Sequence, residues 1–114
     1  MIYADNAATT KMSAAAIDTM VRLLGDEYGN PSSLYSLCQR AREVLENARA
    51  RVAAVIGASP AEIFFTSGGS ESDNQAILTA AELGARNGKK HIITTAFEHH
   101  AVLHTLEGLE KQGY

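Results

Sequence analysis

Cysteine is nearly absent from this sequence: Cys38 stands alone, so no intramolecular disulfide can form and a reducing setting is expected. Basic runs are missing too, for no lysine/arginine block exceeds Lys89-Lys90, and acids outnumber bases 13 to 10. A net charge of −3 on that pattern argues against a broad grip on a phosphate backbone, so nucleic acid is not an expected partner. No apolar run approaches the roughly 18 residues of a membrane span. The opening MIYADNAATTKM has neither the basic nor the apolar region of a secretory signal. A cytoplasmic protein with no membrane partner is the expectation. GxGxxG and GxxxxGK[ST] are both missing, which disfavours a dinucleotide or Walker-type site. Internal repeats, low-complexity tracts and linkers are missing as well.

What is present is the composition of a globular domain, 46% hydrophobic and 20% charged over 114 residues, a length that suits one domain. Asp5-Asn6 reads as a turn leading into a first helix, capped by Ser13 and running to about Leu24. Gly25 and then Gly29-Asn30-Pro31 end it. A second helix is expected from Ser33 or Ser36 to Ile56, with Ala41, Val44, Leu45, Ala48, Val52, Val55 and Ile56 as its buried stripe. Gly57 suits its C-terminal cap. Ser59 to Glu62 has capping-box spacing for one short turn, and Ile63 to Thr66 reads as a strand. Ser70 to about Asn87 is predicted helical, with Ala76, Ile77, Ala80, Ala81 and Leu83 packing inward. His91 to Thr95 is predicted as a second strand, and His100 to Gln112 as a last helix with an apolar face of Val102, Leu103, Leu106 and Leu109. Strand, helix, strand, helix implies a parallel α/β sheet. Two strands are few for such a sheet, so the chain is expected to be the first part of something larger.

Three stretches carry candidate chemistry. In "FFTSGGSESDN" the free N–H groups of Gly69, Ser70 and Glu71 would open a helix, where the macrodipole favours an anion. Glycine lets a ligand come close, yet Glu71 and Asp73 in the first turn are also what plain helix capping uses. Capping and a phosphate site both remain open on the pattern alone. Glu98-His99-His100 follows the second predicted strand at the sheet end where ligands gather, and an imidazole there can stack on a ring or carry a proton; a polar capping turn is the alternative. His100 and His104 lie one helical turn apart, but with no third ligand at a suitable spacing no metal site is expected. Cys38, within a helix, reads as a buried structural thiol.

Taken in order, "YADNAATTKMS", "YGNPSSLYSLCQRAREVLENAR", "IFFTSGGSESDNQAI" and "HIITTAFEHHAVL" closely resemble the start of pyridoxal-phosphate-dependent cysteine desulfurases of the NifS/IscS type, within the class-V aminotransferase-like enzymes. The likeness spans essentially the whole chain. It implies an α/β fold, the N-terminal fragment of an aspartate-aminotransferase-like (PLP fold type I) parallel-sheet domain. Residues 1–114 would form a single incomplete domain, an N-terminal segment and the start of the PLP-binding large domain. It further implies a homodimeric enzyme that takes sulfur from L-cysteine, leaving L-alanine and an enzyme persulfide. That sulfur passes to an acceptor scaffold protein for iron–sulfur cluster assembly. Gly69 and Ser70 match the pair that binds the phosphate of pyridoxal 5′-phosphate. His99 matches the histidine that stacks on the cofactor ring and assists proton transfer. Asn6 to Thr9 match a segment near the substrate side.

Tyr35 and Cys38 stand where related sequences often carry histidine and glycine, and Cys38 does not match the family's persulfide cysteine. By the same resemblance, the lysine that holds the cofactor, the acid that pairs with its ring nitrogen, and the nucleophilic cysteine all lie beyond Tyr114. These 114 residues alone are therefore expected to lack turnover. The resemblance also implies that the two predicted strands are not neighbours in the family's sheet. Two other readings are a related enzyme, such as a selenocysteine lyase, and a non-catalytic fragment that binds a phosphate or a protein partner.

Overall fold

In a computed structural model describing residues 2–114, the order is α1 (Ala14–Asp26), α2 (Ser36–Ile56), a 3₁₀ turn (Pro60–Glu62), α3 (Gly69–Arg86) and α4 (His100–Glu110). The chain divides into two compact units, Met1–Phe64 and Phe65–Tyr114.

The first unit opens with the expected turn, closed by the Ala8 N–H on the Asp5 carbonyl at 3.1 Å. Ser13 caps α1 by accepting the Ala16 N–H at 3.2 Å, a bond that supports a helix start by about 1 kcal/mol. Nevertheless α1 buries none of its residues. The chain then reverses at Asn30-Pro31, where the Asn30 side chain accepts the Ser32 N–H at 3.0 Å. This reversal lays Gly29 directly on the first turn of α2. A Cβ at Gly29 would sit 2.9 Å from the Cys38 Cα and 3.0 Å from the Cys38 nitrogen, so only glycine fits there. Cys38 is buried at 7% exposure, as expected of a structural thiol.

α2 ends at Gly57, whose φ of 70° is the left-handed cap. The Ser59–Glu62 capping box follows, with the Glu62 carboxylate accepting both the Ser59 N–H (2.7 Å) and the Ser59 hydroxyl (2.9 Å). Those two bonds lower the Glu62 pKa, the backbone one contributing most. From α2, Arg49 donates to the Ile63 carbonyl, which ties the helix to the segment after the turn.

In the second unit α3 packs on α4, and Ala81 and Leu109 are buried. The Thr105 hydroxyl of α4 donates to the Asn74 side chain of α3. Each residue lies in the second turn of its helix, so both helix starts lie within about two turns of this contact. Beyond α3 the chain folds back, with the Lys89 N–H on the Gly84 carbonyl at 2.9 Å.

The two predicted strands need correction. Neither 63–66 nor 91–95 forms a strand, and no strand exists among the described residues. Both segments are rich in β-branched and aromatic residues, but a strand exists only as part of a ladder, and the two do not pair with each other. Phe64 is 81% exposed and Ile93 88%, as expected of strand-like sequence without a sheet.

The predicted stripes are corrected on the same ground. On α2, Ala41 is buried and Val44 and Leu45 half-buried, but Ala48, Val52, Val55 (85%) and Ile56 (66%) are exposed, and Ala53 is buried instead. On α3, Ala81 is buried and Ile77 half-buried, while Ala76, Ala80 and Leu83 face solvent. Helical periodicity marks the faces able to pack; burial also requires something to pack on.

Candidate functional site

α3 begins at Gly69 behind Gly68, an extended cap that offers no side chain to the helix. The opening N–H groups of a helix have no intrahelical partner, so those of Gly69, Ser70 and Glu71 are left as a donor set at its positive end. The Ser70 hydroxyl adds a further donor, with no hydrogen-bond partner among the described residues. Apart from adjoining residues and the backbone of α3 itself, nothing lies within 4 Å of a Cβ built on Gly68 or Gly69, so the approach to these donors is open.

The neighbouring hydroxyls of Thr66, Ser67 and Ser72 are already committed. Glu71 reaches back one residue before the cap, accepting the Ser67 N–H at 2.7 Å and the Ser67 hydroxyl at 2.6 Å. The Thr66 and Ser72 hydroxyls bond each other at 2.7 Å. Capping and open donors thus coexist: Glu71 secures the loop, while the donors at Gly69 and Ser70 stay free. Its charge beside them supports the helix start and opposes a bound anion.

Ser67 holds the Glu71 carboxyl below its ordinary carboxylate value, through its hydroxyl first and its N–H second. A depressed folded pKa contributes stability that is present above the unfolded value of about 4.3 and lost as pH falls through the folded one. Acidification below the ordinary carboxylate range is therefore expected to fray the start of α3. Amide exchange at Ser67 should quicken in that window and stay flat in Glu71→Gln. A Ser67 response that survives in Glu71→Gln would contradict the assignment.

His99 is the N-cap of α4, and its Nδ1 accepts the Ala101 N–H at 3.1 Å. Because Nδ1 is the acceptor, the proton of the neutral ring sits on Nε2. The ring meets His100 edge-on, 6.4 Å between centroids, and is otherwise exposed. Gly69, Ser70 and His99 accordingly occupy the N-terminal ends of two helices that are joined through their second turns. Asn6 to Thr9 belong to the other unit.

Sequence reasoning missed three residues that build this arrangement: Asn74 and Thr105, which register the helices, and Ser67, which engages Glu71. Only the Ser67/Glu71 pair left a signal, an acid in the first helical turn behind a serine.

Residues 2–114 match the family described as aminotransferase class-V. The chain is 45% identical over 113 residues to the cysteine desulfurase IscS of Clostridium botulinum strain Hall, covering 99% of this chain and 28% of that protein. It is 46% identical over 114 residues to a cysteine desulfurase of Trichormus azollae, again 28% of that protein. Among solved structures, a NifS-like protein superposes with a TM-score of 0.86 at 40% identity, over 96% of this chain and 30% of that one. DndA from Streptomyces lividans gives 0.81 at 42% identity, over 99% and 32%. The chain thus spans under a third of the length of these proteins.

Proposed function

Because the chain belongs to the class-V aminotransferase family, we propose that it forms the phosphate- and ring-binding end of a pyridoxal-phosphate-dependent cysteine desulfurase. One observation carries the reading: the open donors at Gly69 and Ser70 and the exposed His99 ring stand at the starts of two helices that Thr105 and Asn74 join through their second turns. The donor set fits a phosphate. Gly69 and Ser70 would hold that group through backbone N–H and hydroxyl. His99 would lie against the cofactor ring, its Nδ1 fixed by Ala101 and its Nε2 placed to hold or move a proton.

When bound, pyridoxal phosphate supplies the electron sink for chemistry at the amino-acid substrate. L-cysteine is that substrate on this reading, and L-alanine and a sulfur destined for iron–sulfur clusters are its products. The described helices would belong to one cofactor-binding domain. A second copy of the chain and a sulfur-acceptor scaffold are the protein partners, in a cytoplasmic setting. The names of the relatives support this activity, and the local geometry supports the residue roles.

A titration with inorganic phosphate and then with pyridoxal phosphate tests it. Phosphate should shift the amides of Gly69, Ser70 and Glu71 before all others. Ser70→Ala should weaken that response by about 1.5 kcal/mol, the low end for a hydrogen bond to a charged group, because the turn is solvated. His99→Ala should leave phosphate binding unchanged and weaken pyridoxal phosphate, whose ring it contacts. Uniform shifts along the chain, or equal losses in both variants, would return the turn to plain capping.

A further inference from the structure

On the exposed face of α4, the His100 and His104 rings lie stacked, 5.3 Å between centroids and 15° between planes. One turn on, the Glu107 carboxylate meets His104 Nδ1 at 3.3 Å. An ionised carboxylate only accepts, so Nδ1 carries the proton and the neutral ring keeps its Nε2 lone pair free. A carboxylate behind a histidine is also how proteins orient an imidazole toward a metal and raise its basicity.

We propose that His100 and His104 form a two-imidazole chelate for a divalent borderline cation such as Zn²⁺ or Ni²⁺, with Glu107 as the positioning residue. Imidazole nitrogen suits these ions, while hard Mg²⁺ prefers oxygen. Metal–nitrogen bonds of about 2.0–2.1 Å place two adjacent ligand nitrogens about 3 Å apart. Residues four apart stand as neighbours on one helix face, about 5–6 Å between Cβ atoms, and both rings are exposed, so the chelate needs them to turn out of the stack. Among the described residues no set of three or more His, Cys, Asp and Glu side chains is placed to share a metal, so water fills the remaining positions. His99 stays outside the chelate, because its Nδ1 is taken by the Ala101 N–H and its ring meets His100 edge-on. The spacing of the two histidines was visible in the sequence; the stack and the role of Glu107 were not.

Calorimetric titration of the chain with Zn²⁺ and Ni²⁺, in a Cys38→Ser background that removes the thiol, tests the site. One ion per chain is expected, and Mg²⁺ should give no heat. Ligation by the second imidazole is intramolecular, so His100→Ala and His104→Ala should each weaken binding roughly a hundredfold. Glu107→Gln should weaken it about tenfold, while His91→Ala and His99→Ala should leave it unchanged. Bound metal ties one turn of α4 to the next, so amide exchange across 100–107 should slow on addition of Zn²⁺ and not in His104→Ala. Unchanged affinity in His104→Ala, or an equal loss in His91→Ala or His99→Ala, would overturn the proposal.

Discussion

Leu109→Ala is expected to cost the α3–α4 pair about 2–5 kcal/mol, the range for truncating a buried leucine into a space that cannot fully collapse. Leu109 is 4% exposed and is one of only two buried side chains in its unit, the other being Ala81. Ala81 has little to contribute beyond a methyl group, so no second large anchor takes up the loss. The effect should reach the candidate site, because α3–α4 packing also holds Thr105 against Asn74, within two turns of both helix starts. Hydrogen exchange with a urea series checks this: Asn74 and Thr105 amides should lose protection together, and phosphate binding at Gly69 should weaken without any change near it. Ile17→Ala, on the exposed α1, serves as control and should stay within about 0.5 kcal/mol of the parent. A comparable loss in both variants would mean that α3 and α4 do not stabilise each other.

Gly29→Ala should destabilise the first unit by about 1–3 kcal/mol, the cost of forcing extra volume into a filled space. All three atoms that the new Cβ would meet within 3.0 Å are backbone atoms of Leu37 and Cys38, so none can rotate away. The first turn of α2 must move instead, and it carries Cys38. Reaction with a thiol reagent offers a direct readout, since the buried thiol should become several times more reactive. Gly25→Ala is the opposite case: nothing lies within 4 Å of its Cβ, and alanine in a helix is favoured over glycine by about 0.8–1 kcal/mol. Opposite signs from one chemical change would separate close approach from helix propensity. If Gly29→Ala left Cys38 as slow to react as before, the contact at Gly29 would not be limiting.

The features legible in the sequence were those decided within a few residues. Ser13, Gly57, the Ser59–Glu62 box and the start of α4 at His100 all fall where local hydrogen bonding puts them. The missing strands and the bare ends of the α2 and α3 stripes depend on distant partners, which no local pattern encodes. Ala53 was overlooked because a small residue contributes little to an amphipathic stripe yet is the most buried of the core residues. At the candidate site, the glycine turn was visible as a break between apolar residues and acids. That Glu71 would turn back onto Ser67 and leave Gly69 and Ser70 open was not, since pattern alone could not choose between capping and binding. At Glu98-His99-His100 both chemistry and a polar capping turn were legible; that the His99 ring itself would be the cap was not, since that role is more often taken by serine, threonine or aspartate.

The segments 63–66 and 91–95, apolar and without a ladder, also govern how long the chain survives among proteases. A peptide bond must be drawn out into extended form to enter a protease cleft, and backbone held in a sheet resists this. Phe64, Phe65 and Phe97 lie within or beside these segments, exposed and outside any helix, so they offer ready cuts to an enzyme that favours aromatic residues. The helix between them, α3, is shielded by its own hydrogen bonds. Once a neighbouring strand pairs with either segment, the nearby cuts should disappear, and lifetime in a digest becomes a clock for sheet assembly.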